Sequence, residues 1–298
     1  MPSATAPTIN LDRLPTISET IAAHDLAARK SLGQHFLLDL NLTRRIARAA
    51  QPFNDTTVIE IGPGPGGLTR ALLIEGATRV IAIERDRRCV AALQPLVEAA
   101  AGRLTVIEAD ALDVDETTLT ASPRQIVANL PYNIATPLLI KWLDRIANYQ
   151  RLTLMVQKEV AARIAARPGD DAYGRLSARV GWVSEANLLF DVSPRAFTPP
   201  PKVTSSVIRL EPRPKPLCEA EPAAFEAVLA AAFGQRRKML RGALKTLGVD
   251  AALLLSSAGV EPTARAETLK IEAFCALARA LAALRAAGNP IATTPQPE

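Results

Sequence analysis

The chain has 298 residues and a net charge of +5, with a sequence pI near 9.3. That length is too great for one small core and points to about two domains, and the positive balance is a modest bias toward anionic partners. Hydrophobic residues at 48% and charged residues at 22% describe an ordinary soluble globular chain, and no apolar run reaches the roughly 18 residues of a membrane span.

Residues 1–24 mix Pro, Ser and Thr with Asp12, Arg13 and Glu19. They lack the basic start and apolar block of a secretory signal and are expected to form a flexible lead. The tail, 289–298, has the same polar, proline-rich character. Cys89, Cys218 and Cys275 lie far apart and are odd in number, so they are expected to be reduced thiols of a cytoplasmic protein. With only His24 and His35 beside them, no metal site is expected.

From residue 56 strand and helix signals alternate. "TTVIEIG" is a β-branched run ending in glycine, "GLTRALLIEGA" has helical spacing, "RVIAIERD" is a second strand and "RRCVAALQPLVEAA" a helix. "RLTVIEAD" and "RQIVANLPY" are the third and fourth strands, "TPLLIKWLDRIAN" is a helix, and "RLTLMVQKE" is a fifth strand running into the helical "VAARIAAR". Near-continuous apolar strands separated by helices predict a parallel sheet covered on both faces. "ANLLFDV" (186–192) and "SSVIRLE" (205–211) add an edge hairpin, which makes seven strands. Residues 212–222, "PRPKPLCEAEP", carry a linker composition, and 223–288 read as helices throughout, a small all-α bundle. The expected domains are therefore 25–211 and 223–288.

The first strand-to-helix turn, "VIEIGPGPGGLT", places Gly62, Gly64 and Gly67 in G-x-G-x-x-G spacing, with Glu84 22 positions after Gly62. This is also the fingerprint of a dinucleotide binder. Glycines let a ligand approach the backbone closely, and an acid ending the second strand suits the ribose diol that NAD and S-adenosyl-L-methionine share. Two features favour the second cofactor. Pro63 and Pro65 remove N–H donors that a pyrophosphate needs, and Asp110 ends the third strand, where it can accept from an adenine amino group. Glu60 can orient the loop or meet a cationic ligand end.

The fourth strand ends in Asn129-Leu130-Pro131-Tyr132, at the sheet edge where open α/β folds bind ligands. An exocyclic adenine amine is a poor nucleophile, because its lone pair is delocalised into the ring. Methylation needs acceptors for both N6 hydrogens, and the Asn129 amide oxygen and the Leu130 carbonyl, set by the Pro131 turn, are the candidates. Tyr132 supplies a face for stacking the base. No ionisable base is needed, and the motif contains none.

In chain order, "SLGQHFLLD" (31–39), "EIGPGPGGLT", "ERD", "EADAL", "NLPYNIATP", "MVQKEVAARI", "YGRLS" and "FTPPPKVTSSVIRL" resemble the ribosomal RNA adenine N6-dimethyltransferase family. The resemblance is closest to its small-subunit branch and spans roughly 25–290. It implies a Rossmann-like, S-adenosylmethionine-dependent methyltransferase fold with a helical rRNA-binding domain. It implies cofactor contacts from His35, Leu37, Gly62, Gly64, Glu84, Asp110 and Asn129, and a base pocket walled by Tyr132 and Phe197. It further implies N6,N6-dimethylation of two adjacent adenines in the 3′-terminal hairpin loop of 16S rRNA, on the small ribosomal subunit during assembly, by a monomer.

The segment 234–249 contains Arg236, Arg237, Lys238, Arg241 and Lys245 and no acid. So many unneutralised charges suit an rRNA backbone. Lys202 can meet a phosphate or stand solvated, and Arg44, Arg45 and Arg48 add charge near the lid at 31–39. The competing readings are an erythromycin-resistance dimethylase of large-subunit rRNA, a DNA adenine methyltransferase, a dehydrogenase using the glycine loop, and an assembly factor whose methylation is secondary.

Overall fold

The computed structural model describes residues 11, 13–29, 33–235 and 238–288. By internal contacts the chain divides into two compact units, one of residues 1–161 and 186–212, the other of 162–185 and 213–298.

The first unit opens with helix α1 (Ile17–Ala23), so the described part of the expected flexible lead is ordered. Its cause is local. The Thr16 hydroxyl accepts from Glu19 N while the Glu19 carboxylate accepts from Thr16 N at 2.7 Å, a reciprocal cap that also holds the Glu19 carboxyl below its ordinary pKa. Ile17 is buried. Next come β1 (Phe36–Leu37), α2 (Leu40–Ala50), β2 (Thr57–Ile61), α3 (Gly67–Ile74), β3 (Arg79–Glu84), α4 (Arg87–Ala92), α5 (Gln94–Ala99), β4 (Leu104–Glu108), β5 (Arg124–Asn129), α6 (Ala135–Leu143) and β6 (Arg151–Gln157). The single helix expected at 87–100 is two, because Pro95 has no N–H for a helical bond. After α7 (Lys158–Ala165) and α8 (Arg175–Val183) follow β7 (Ser184–Val192), β8 (Phe197–Thr198) and β9 (Ser205–Pro212).

The seven-stranded sheet has the order β4-β3-β2-β5-β6-β9-β7. Its first five strands are parallel and β9 runs antiparallel to β6. Every residue of β2 is buried, as apolar strands covered on both faces require. Strand order reverses between β2 and β5, which opens a crevice at their C-terminal ends. In register Ile61 pairs with Ala128, so the glycine loop and Asn129 leave the sheet side by side. A separate antiparallel pair joins β1 to β8, Leu37 opposite Phe197.

The second unit holds α8 with α9 (Pro222–Gly234), α10 (Leu240–Ala243), α11 (Ala251–Ser257) and α12 (Ile271–Ala286). Tyr173, Ala178 and Trp182 pack in one core with Phe225, Leu229 and Phe274. This moves 162–185 out of the expected 25–211 domain, since amphipathic helices do not announce which core they join. The expected linker is also fastened. Leu217 N donates to Trp182 O, Trp182 Nε1 donates to Cys218 O at 2.8 Å, and Glu221 caps α9. The expectation of three reduced thiols is corrected here too. Cys218 and Cys275, 57 residues apart, form a disulfide because the fastened segment lies along α12, and only Cys89, buried, is a free thiol. No helix among the described residues is long and apolar enough to cross a membrane.

Candidate active site

The glycine loop is backbone that most residues cannot adopt. Gly62, Gly64 and Gly66 all have positive φ, +67°, +54° and +91°. A Cβ on Gly64 would lie 3.2 Å from the Phe36 ring. The loop's N–H groups are already engaged. Gly62 N donates to Ile83 O, Gly64 N to Glu84 Oε2, and Gly66 N to Pro63 O, while Pro63 and Pro65 have none. A loop with its donors committed this way does not cradle a pyrophosphate, so the dehydrogenase reading loses its basis.

Three carboxylates stand at successive strand ends around an open cleft of about 1120 Å³, part of it shared with solvent. Glu84 is buried and accepts from Gly64 N at 2.9 Å and Asp86 N at 2.8 Å. Burial still raises its pKa. Each oxygen keeps a lone pair for a hydroxyl. Asp110 accepts from Leu112 N at 3.0 Å and pairs with the exposed Arg85 at 2.9 Å. Glu60, 1% exposed, leaves Oε2 without a hydrogen-bond partner. Burial, with Glu84 adding its charge, pushes the Glu60 carboxyl up to about 8. A buried orphan acceptor lining a pocket calls for a donor or cation from a ligand, so this set of acceptors fits a cofactor with a ribose diol, an adenine amine and a cationic end.

On the β5 side, Asn129 Nδ2 donates to the His35 carbonyl at 3.3 Å. That bond assigns the amide and leaves Oδ1 as the acceptor. Ile134 N donates to Pro131 O and closes the turn. The Tyr132 hydroxyl bonds Ser205 Oγ at 2.7 Å, and burial raises the tyrosine pKa. The His35 ring stands 5.7 Å from Tyr132 and 6.4 Å, edge-on, from Phe197. Its Nδ1 donates to the Pro199 carbonyl at 2.7 Å.

The structure thus gathers His35, Leu37, Gly62, Gly64, Glu84, Asp110, Asn129, Leu130, Pro131, Tyr132 and Phe197 around one cleft. Lys202, Lys238 and Arg241 are exposed and lie outside it, and Arg236 and Arg237 fall outside the described residues. Arg44 and Arg48 are not free cations near the lid. Both bond Glu75, at 2.6 and 3.0 Å, while Arg45 lies over the Phe190 ring. Sequence reasoning missed Phe36, Ser205 and a latch in which Gln34 donates to Asp86 at 3.0 Å. Arg88 pairs with the same carboxylate, at 2.7 Å. Alternation in "HFL" hinted at Phe36, but nothing local marks Ser205.

Glycine loop, strand-end acids and a proline-set amide on a sheet of this order define a Rossmann-like methyltransferase. A family model described as ribosomal RNA adenine dimethylase matches residues 26–283, and the chain belongs to that family. It is 60% identical over 270 residues, 91% of this chain and 93% of the relative, to "Ribosomal RNA small subunit methyltransferase A" of Rhodospirillum rubrum. It is 59% identical over 268 residues, 90% of this chain and 95% of the relative, to the protein so named of Paramagnetospirillum magneticum. Among solved structures it resembles a dimethyladenosine transferase from Plasmodium falciparum, with TM-score 0.73 at 25% identity over 86% of this chain and 99% of the other. It also resembles the 23S rRNA methyltransferase ErmE, with TM-score 0.64 at 28% identity over 83% of this chain and 99% of the other.

Proposed function

We propose that this protein dimethylates, at N6, two adjacent adenines in the 3′-terminal hairpin loop of 16S rRNA, using S-adenosyl-L-methionine. It acts on the small ribosomal subunit late in assembly, as a cytoplasmic monomer. The observation that carries the reading is Asn129. Its amide nitrogen is committed to the His35 carbonyl, so its oxygen is the acceptor at the mouth of a strand adjoining the glycine loop. The small-subunit target is supported by curated relatives 59–60% identical, against 28% for ErmE.

The cofactor supplies an electrophilic methyl group. Glu84 holds the ribose diol, Asp110 accepts from the adenine amine, and Glu60 faces the cationic end. In the first transfer Asn129 Oδ1 and the Leu130 carbonyl accept the two N6 hydrogens of the target and draw its nitrogen toward tetrahedral geometry, which frees the lone pair. The methylated nitrogen releases one proton to solvent, and in the second transfer the one remaining N–H is held the same way and its proton is likewise released. Tyr132, its hydroxyl pinned by Ser205, stacks on the base, with Phe197 as the opposite wall. The His35 ring stands beside both walls, 5.7 Å from Tyr132 and 6.4 Å from Phe197 between ring centres. RNA enzymes of this kind read architecture and extrude the base.

The test is methyl transfer from labelled cofactor to unmethylated small subunits, with large subunits and duplex DNA as competitors. Dimethyladenosine on the small subunit alone is expected. Asn129→Ala should abolish it. Tyr132→Ala should cost about 1–3 kcal/mol of base stacking, and Tyr132→Phe, which keeps the ring, much less. Label on large subunits would transfer the assignment to the ErmE type of target. Unlabelled RNA with intact cofactor binding would favour an assembly factor.

A further inference from the structure

Lys141 has no part in the chemistry above, yet it is the most heavily bonded lysine described. It lies on α6, with its side chain 27% exposed. Its ammonium donates to Ala111 O at 2.7 Å, to Val114 O, and to Glu116 Oε1 at 3.0 Å. Three donors meet three acceptors, so none remains for a ligand. Glu116, its side chain 2% exposed, also accepts from Trp142 Nε1 at 2.9 Å on Oε1 and from the Tyr149 hydroxyl at 3.3 Å on Oε2.

All three acceptors of Lys141 sit on 111–116, the segment that begins one residue after Asp110. Ala109, Asp110 and Ala111 line the cleft. The buried Trp142 and Tyr149 bonds reach only Glu116, at the far end of the segment, and the other bonds nearer Asp110 are weaker restraints. Asp113 N and Leu112 N turn back onto Asp110 itself, the Arg145–Asp115 pair is solvent-exposed, where ion pairs contribute little, and the half-buried Asp110 is paired only with an exposed arginine, Arg85. By contrast α6 is anchored independently by buried Leu138, Leu139 and Trp142.

We propose that Lys141, backed by Glu116, is a positioning residue that holds the loop after β4 so that Asp110 presents its carboxylate to the cofactor's adenine. The proposal rests on the reading of Asp110 given above. Because α6 and the Asn129 turn stay in place without Lys141, its loss should weaken cofactor binding and spare turnover at saturating cofactor.

The experiment uses the full chain. Calorimetry measures S-adenosylhomocysteine and 5′-methylthioadenosine, which lacks the amino-acid end, on wild type, Lys141→Met, Lys141→Arg and Asp110→Asn. Melting without ligand is followed in parallel. Lys141→Met should weaken both ligands by a similar factor of about tenfold, the scale of one hydrogen bond to a charged group. KM for the cofactor should rise with kcat within about twofold, and Lys141→Arg, which keeps the charge and several donors, should recover part of the affinity. If the Met variant does not fold, Lys141→Gln, which retains two donors, replaces it with a smaller loss expected. Full affinity in a folded Lys141 variant beside a weakened Asp110→Asn overturns the inference, as does a loss confined to kcat. Wild-type affinity in Asp110→Asn instead overturns the reading of Asp110 on which it stands.

Discussion

At the scale of single residues the site depends on carboxylates held in unequal environments. Glu60 is the extreme case, with a folded pKa of about 8 against an ordinary 4.5. Between those values the folded chain keeps a proton that the unfolded chain has released. Its favourable contribution is therefore complete below about pH 4.5 and is lost as pH rises through about 8. Glu60→Gln cannot ionise, so its melting temperature should gain on wild type as pH is raised from 5 to 8.5. A constant difference across that range would contradict the burial argument. A cationic ligand end would pull the same pKa down. Cofactor binding near pH 7 should then release a fraction of a proton in wild type and less in Glu60→Gln, read by calorimetry in buffers of different ionisation enthalpy.

At the scale of elements, the glycine loop and the short β1–β8 pair do the positioning. β1 and β8 lock Leu37 opposite Phe197, and Phe36 closes over Gly64. Gly64→Ala therefore meets two penalties. A left-handed conformation costs an alanine about 1–2 kcal/mol, and the new methyl presses the Phe36 ring at 3.2 Å. Since Gly64 N also donates to Glu84, any shift that relieves the contact misplaces the ribose acid. Gly64→Ala should lower the denaturation midpoint and weaken S-adenosylhomocysteine binding together, whereas Gly76→Ala, with nothing within 4 Å of its Cβ, should lower the midpoint alone.

At the scale of the whole molecule, the basic segment after α9 is the expected rRNA contact. Lys238 and Arg241 are exposed there, and neighbouring acids are absent from 234–249. Each cation bound to a phosphate adds about 0.7–0.9 to the slope of log affinity against log salt. The double change Lys238→Gln, Arg241→Gln should flatten that slope for unmethylated small subunits by about 1–2 and leave S-adenosylhomocysteine affinity as in wild type. An unchanged slope would remove these two residues from the RNA contact.

Much of this was legible along the chain, because strands buried on both faces and glycine turns write themselves into local composition. β2 to β6, the loop at Gly62–Gly67, the acids ending β3 and β4, and the amide ending β5 need only the neighbouring residues to be recognised. What depended on partners distant in sequence was not legible. The Glu75 that neutralises Arg44 and Arg48, the Ser205 that pins Tyr132, the pairing of Cys218 with Cys275, and the bonds that place 162–185 in the helical core lie 27 to 96 residues from the groups they join. Such contacts carry no periodicity, and an amphipathic helix or a lone cation reads the same whichever surface it meets. The sequence alone determined which chemistry ends each strand. Tertiary packing decided which charges remain free, which amide atom faces the substrate, and how the loop bearing Asp110 is held.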